Sequence, residues 1–191
     1  MVAHVQTCAA AHDKVGPSQP LIVLRFDAVG QPRYWLLIEA KADAKLNHID
    51  ALLRELWLEC CGHMSAFHVG RRELAMTTAA AMAFLATGAK VAYEYDFGST
   101  TALTGELVDR RHGSIGRASA RLLARNEPPA WPCGECKALA TTVCPYCIDA
   151  GDGLFCDAHA DAHEHAGEEV YLPVVNSPRM GVCGYTGAGD A

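Results

Sequence analysis

A chain of 191 residues accommodates one domain of ordinary size, or one of about 100 to 150 residues with a small added module, and excludes two large domains. Half of its residues are hydrophobic and 20% are charged, which sets aside the disordered, collagenous and coiled-coil classes. The net charge of -6 is uneven: residues 1–129 carry 14 Lys+Arg against 13 Asp+Glu, whereas residues 130–191 carry 2 against 9. The longest uncharged stretch, Leu74 to Ala89, is broken by threonines and falls short of the ~20 strongly apolar residues of a bilayer helix. The first twenty residues contain no continuous apolar block, so the expectation is a cytoplasmic protein with no membrane partner and a loose tail over residues 1–19.

Leu21 to Asp27 and Arg33 to Glu39 are aliphatic and aromatic runs separated by Gly30-Gln31-Pro32, the pattern of an antiparallel strand pair. Leu46, Ile49, Leu53, Leu56, Trp57 and Cys60 then recur at three- and four-residue steps behind Asp43, which reads as an N-cap, with Gly62 placed as a C-cap. A strand over Met64 to Val69 and a second helix from about Glu73 to Thr87, ended by Gly88, follow. Val91 to Tyr95 and Thr100 to Asp109 form a hairpin around Phe97-Gly98-Ser99. Arg117 to Asn126 fits helical and extended spacing and is read as a strand, and Glu127-Pro128-Pro129 breaks the chain where its composition changes. The fold class is therefore α+β: an antiparallel sheet with two helices, plus a small metal-binding module.

That module carries the strongest chemical signal. Cys133-Gly-Glu-Cys136, Cys144-Pro-Tyr-Cys147 and Cys156-Asp-Ala-His159 are followed by His163 and His165, eight soft ligands within 33 residues. Interleaved Cys and His at such spacing in a reducing compartment point to metal ligation rather than disulfides. Zinc takes thiolate and neutral imidazole tetrahedrally, so eight ligands fill two closed, structural Zn2+ sites. A stretch this poor in apolar residues gains little from burial, and a structural zinc supplies ~10 to 16 kcal/mol in finger peptides. The spacing resembles a B-box finger with cross-braced ligand pairs. That resemblance implies one zinc on Cys133, Cys136, Cys156 and His159 and another on Cys144, Cys147, His163 and His165. The last pair is separated by a single residue, tighter than the usual final pair, so the alternative is one spectator histidine with Glu168 or water in its place.

Four further features are weighed. Cys60, Cys61 and His63 at a helix end suit either a metal or a Cys/His nucleophile pair, but a helix C-terminus raises a thiol pKa, and core packing of Cys60 with Leu56 and Trp57 is the expectation. Asp96-Phe97-Gly98 lacks every companion kinase motif and reads as a turn. Gly184 to Gly189 has no following helix to hold a phosphate and reads as part of a flexible tail. Arg110, Arg111, Arg117, Arg121 and Arg125 form a stripe that suits an anionic partner or, more commonly, a solvated face.

The strings Trp57 to Phe67 (WLECCGHMSAF), Tyr93 to Thr101 (YEYDFGSTT), Leu122 to Pro129 (LLARNEPP) and Leu172 to Tyr185 (LPVVNSPRMGVCGY) are similar to the plasmid pRiA4b ORF-3-like family, in a branch with a cysteine-rich insert before the last motif. The resemblance covers most of residues 20–185. It implies an α+β fold with an antiparallel sheet and a helix after the first hairpin. Some members are labelled transposon passenger proteins, which implies a link to mobile elements, and no catalytic residues carry across.

The organisation expected is a tail over 1–19, an α+β domain over 20–129, a zinc module over 130–172, a segment over 173–185 that returns to the first domain, and a flexible tail over 186–191. The return rests on Leu172, Val174, Val175, Met180, Val182 and Cys183, too apolar to leave in water. It would bring Cys183 toward Cys60, Cys61 and His63; a third zinc is then weighed against four ordinary buried side chains, and the latter is the expectation. The leading functional reading is a non-enzymatic zinc protein acting as an interaction or adaptor protein with a protein partner. The alternatives are a metal-dependent or thiol enzyme with its site near Cys60, Cys61, His63 and Asp96, and nucleic-acid binding through the Arg110 to Arg125 stripe. The acidic zinc module is excluded from phosphate contact by its charge.

Overall fold

In a computed structural model of the chain, residues 8–85, 90–166 and 170–187 are described. Strands β1 (Gln19–Ala28) and β2 (Trp35–Lys41) pair antiparallel with Leu21 opposite Lys41 and Asp27 opposite Trp35. Helix α1 (Leu46–Leu53) runs into a π-helical turn (Arg54–Leu58), followed by β3 (Ser65–Val69), β4 (Arg72–Leu74), helix α2 (Ala80–Phe84), β5 (Val91–Tyr95), β6 (Thr101–Gly113) and β7 (Ala120–Arg125). The seven strands form one sheet in the order β4-β3-β5-β6-β1-β2-β7, with every pairing antiparallel. The fold is α+β.

The sequence explains the centre of that sheet. β1 buries Leu21, Ile22, Val23, Leu24 and Phe26, and α1 buries Leu46, Ile49 and Leu53 at three- and four-residue steps along one face. Gly105 lies opposite Phe26 on β6; a Cβ there would approach the Phe26 ring at 2.7 Å and the Phe84 ring at 3.0 Å, so the edge-to-face Phe26–Phe84 pair requires glycine. Asp50 on α1 accepts hydrogen bonds from Arg54 Nε (2.9 Å), Ser65 Oγ (2.6 Å) and Tyr93 Oη (2.8 Å), tying the helix to β3 and β5. Burial and the Asp50 carboxylate push the Tyr93 phenol above its ordinary pKa, which keeps it a donor.

Both helices differ from the periodicity reading, for one reason. The N-cap of α1 is Lys45, not Asp43, because the first helical N–H groups find backbone partners: Leu46 N donates to Thr78 O and Asn47 N to Met76 O. Ala80 N and Ala81 N likewise donate to Ala44 O and Ala42 O, so α2 begins at Ala80 instead of Glu73. Glu73 and Leu74 are claimed by the sheet, with Phe67 opposite Leu74 in the β3–β4 pair. The expected end of that helix at Thr87 and Gly88 lies outside the described residues. The first helix also stops short of Cys60, widening to a π turn at Arg54.

Residues 8–18, expected as a loose tail, are held. Residues 8–11 are helical, Lys14 N donates to Ser114 O, and Arg121 donates to the carbonyls of His12 (2.8 Å) and Ala9 (3.2 Å). The remainder of that tail, residues 1–7, lies outside the described residues.

The chain divides into two units: one runs up to Arg54 and resumes over Met64–Asn126, and the other comprises Glu55–His63 and the chain from Glu127 onward. The break at Glu127 coincides with the composition change. Residues 55–63, however, group with the second unit, where Ser177 Oγ donates to Trp57 O at 2.6 Å. That unit contains β8 (Thr142–Val143), a 3-10 turn (Ile148–Ala150), β9 (Leu154–Phe155), helix α3 (Asp157–Ala160) and β10 (Leu172–Pro173), its three strands ordered β10-β8-β9. Among the described residues no helix is long and apolar enough to cross a membrane.

Candidate metal centres

All of the cysteines at 60, 61, 133, 136, 144, 147, 156 and 183 are free thiols, and the second unit gathers them with histidine into three clusters. Each offers four ligand atoms lying within 4.8 Å of one another. Zinc–ligand distances of ~2.3 Å for sulfur and ~2.0 to 2.1 Å for nitrogen set tetrahedral edges of roughly 3.8 Å between two sulfurs and roughly 3.6 Å between sulfur and nitrogen.

The first cluster is Cys133, Cys136, Cys156 and His159. Cys133 opens a tight turn in which Lys137 N returns to Cys133 O and Lys137 takes a left-handed φ of 66°. Cys156 caps α3, whose single turn carries His159 back toward it. Three of its edges are Cys136 Sγ–Cys156 Sγ 3.8 Å, Cys133 Sγ–His159 Nδ1 3.6 Å and Cys156 Sγ–His159 Nδ1 3.2 Å. Burial pushes the Cys133 thiol up, and backbone N–H groups of Cys156, Cys136 and Glu135 outweigh it, bringing the thiol down to about 6. Backbone and side-chain hydrogen bonds of His159 lower Cys156 as well, and the Cys156 thiol raises His159. Lowered thiol pKa values favour the thiolate, the form that binds metal.

The second cluster is Cys144, Cys147, His163 and His165. Ile148 N and Cys147 N both return to Cys144 O, closing the knuckle. The single-residue spacing of the two histidines is solved by presenting opposite ring nitrogens. Cys147 Sγ lies 3.4 Å from His163 Nε2, and Cys144 Sγ lies 3.3 Å from His165 Nδ1. Aromatic neighbours fix both rings: Phe155 lies 4.3 Å from His163 centroid to centroid, and Tyr146 lies 5.1 Å from His165. Neither histidine stands apart from the cluster, and the other candidate ligand, Glu168, lies outside the described residues. Burial, then the neighbouring Cys144 thiol, raises Cys147. Because the first and third ligand pairs meet at one point and the second and fourth at another, the two centres are cross-braced along the chain.

The third cluster corrects an expectation. Cys60 is only half-buried and Cys61 and Cys183 are exposed, so these are not ordinary core side chains. Cys61 Sγ lies 3.7 Å from Cys60 Sγ, 3.8 Å from Cys183 Sγ and 3.0 Å from His63 Nε2, and His63 Nε2 lies 3.2 Å from Cys183 Sγ. Gly62, with φ of 78°, makes the sharp turn that brings Cys61 and His63 together. Hydrogen bonds with Cys60 and then Cys183 raise the Cys61 thiol to about 11.

No family model matches the chain, and no curated protein matches it. Among solved structures it is similar to a protein of unknown function from Methanosarcina mazei Go1, at 12% identity and a TM-score of 0.48, covering 56% of this chain and 70% of that one.

The remaining candidates have structural duties. Asp96 holds a left-handed φ of 64°, and its Oδ1 accepts the N–H groups of Gly98 (3.0 Å) and Ser99 (3.2 Å), capping its own turn. Within the arginine stripe, Arg111 and Arg121 converge on Glu39, a fully buried carboxylate: Arg111 Nε lies 2.5 Å from Oε1, and Arg121 Nη2 2.6 Å from Oε2. Arg111 also binds Asp13 at 2.6 Å, and Asp13 and Glu39 together raise its pKa. This clamp escapes a sequence reading because its acids lie about 70 to 100 residues from its arginines.

Proposed function

We propose that this chain is a zinc-binding interaction protein whose cross-braced module holds two structural Zn2+ ions, one on Cys133, Cys136, Cys156 and His159 and one on Cys144, Cys147, His163 and His165. The observation that carries the reading is that eight ligand atoms from one short stretch of chain fall into two complete sets of four. Zinc is favoured over other ions because thiolate with imidazole in sets of four suits its tetrahedral preference and soft character. Four protein ligands per ion leave no open position for substrate, so the module presents a surface and not a reactive centre.

On that surface Leu139 and Tyr146 are exposed, 66% and 61%, which supports a protein as the partner. Five zinc-bound thiolates exceed the charge of two Zn2+ by one, and the surrounding segment is acidic, so phosphate backbones are repelled there. The two other readings are weaker on the same grounds: Arg111 and Arg121 serve Glu39 and Asp13, and Asp96 serves its turn. Membership of the pRiA4b ORF-3-like family, a cytoplasmic setting and a link to mobile elements belong to this reading as well, supported by the four distinctive strings and by the free thiols.

Metal analysis of protein purified without chelator tests the reading. Cys133→Ser removes one zinc and Cys144→Ser another. Protein that carries no metal under these conditions, or that shows disulfides among these cysteines, defeats it.

A further inference from the structure

We infer that Cys60, Cys61, His63 and Cys183 form a third metal centre, a Cys3His site for Zn2+ separate from the cross-braced pair. Two of its three sulfur–sulfur edges, Cys60–Cys61 at 3.7 Å and Cys61–Cys183 at 3.8 Å, match the roughly 3.8 Å edge of a zinc tetrahedron, whereas a disulfide needs sulfurs near ~2.05 Å. Two of its sulfur–nitrogen edges, from His63 Nε2 to Cys61 at 3.0 Å and to Cys183 at 3.2 Å, lie inside the roughly 3.6 Å of a zinc site and lengthen when an ion enters.

A second observation points to the same ligand. Arg179 is fully buried, and its Nη2 lies 3.5 Å from Cys60 Sγ. Negative charge beside a buried guanidinium is favourable to both groups. Three thiolates on Zn2+ leave one net negative charge, and Arg179 balances it, donating to a zinc-bound sulfur from the outer shell. The backbone is shaped for the purpose on both sides. Arg179 N donates to Ser177 Oγ at 2.9 Å while that hydroxyl donates to Trp57 O, so the segment bearing Cys183 is fastened to the turn bearing Cys60. Cys183 itself holds a left-handed φ of 52°, a conformation that costs a non-glycine residue about 1 to 3 kcal/mol and is kept where the surroundings require it.

The centre differs from the other two in access. Cys61 and Cys183 are exposed, whereas Cys133 and Cys144 are fully buried, so a chelator reaches the third ion first. Native mass spectrometry of the whole chain purified without chelator is expected to show three zincs, and Cys183→Ser and Cys61→Ser each to show one fewer. With a chromophoric chelator, one zinc is expected to leave quickly and two slowly, and Cys183→Ser to lose only the fast phase. Failure of the cross-braced sites lowers the total but leaves the decrement at Cys183 intact, so the two readings fail independently. Wild-type protein and both variants with the same zinc count overturn the inference, as does a disulfide joining Cys183 to Cys60 or Cys61.

Discussion

Glu39 shows how little of the electrostatics is visible residue by residue. In the sequence it is the last residue of an aliphatic strand run, with nothing to mark a buried charge. In the fold it receives two guanidiniums, Arg111 and Arg121, which a charge pattern alone would send to solvent or to an anionic ligand. Glu39→Gln keeps the shape and removes the shared buried counterion, leaving Asp13 as the remaining acid beside both partly buried cations. Loss of one partner of a buried pair costs ~3 to 5 kcal/mol, so urea unfolding of this variant is expected to show destabilisation of about 3 kcal/mol. A shift under 1 kcal/mol would mean that the clamp contributes nothing net. Asp13 sits at the outer end of the same cluster, and Arg111 holds its carboxyl below the ordinary value of 3.8. Its contribution to stability is complete above that value and is lost as pH falls through the lower folded one. The protection factors of the amides in residues 8–14, taken against the intrinsic exchange rate at each pH, are accordingly expected to fall on acidification in that window, before the sheet opens, and equal protection at pH 7 and pH 2 would refute the tie.

At the scale of elements, the strands were legible and the helix ends were not. Alternation and glycine or proline punctuation are local signals, and β1, β2, β5 and β6 lie where Leu21 to Asp27, Arg33 to Glu39, Val91 to Tyr95 and Thr100 to Asp109 put them. Helix starts depend on which distant carbonyls are within reach, here those of Thr78, Met76, Ala44 and Ala42, and no window around Asp43 or Glu73 contains that information. Gly105 is likewise silent in the sequence, since its role is set by Phe26 and Phe84 across the sheet. Gly105→Ala forces a ring aside and is expected to cost ~1 to 3 kcal/mol in urea unfolding, with an unchanged midpoint as the contrary result. In the metal module the legible part was the set of ligand types and spacings. The illegible part was how His163 and His165 share one centre, which depends on ring orientation imposed by Phe155 and Tyr146. His163→Ala and His165→Ala are therefore expected to lose the same single zinc. A variant that retains full metal content identifies a spectator.

For the whole molecule, the sequence marks the change at Glu127 through proline and acidity, and its apolar return segment points Cys183 toward Cys60, Cys61 and His63, but it does not show that the whole of Glu55–His63 groups with the later part of the chain. That grouping follows from pairings across about 120 residues, Trp57 with Ser177 and Cys61 with Cys183, which no local pattern encodes. The second unit has a small apolar core, Cys133, Cys144, Phe155 and Ala160 with Cys147, Cys156 and Tyr171 against it, and most of these side chains are themselves ligands or their neighbours. The candidate ligands and the core of this module are thus the same side chains, and removal of the proposed ions is expected to unfold this unit while the seven-stranded sheet, which contains no ligand of the two cross-braced clusters, keeps its own cooperative transition. Anomalous diffraction at the zinc edge, from crystals of the whole protein purified without chelator, tests for two Zn2+ ions on cross-braced sets of four ligands. One peak is expected among Cys133, Cys136, Cys156 and His159 and one among Cys144, Cys147, His163 and His165, each about 2.3 Å from its sulfurs. Empty density at both points, with the thiols unligated or joined as disulfides, would contradict it.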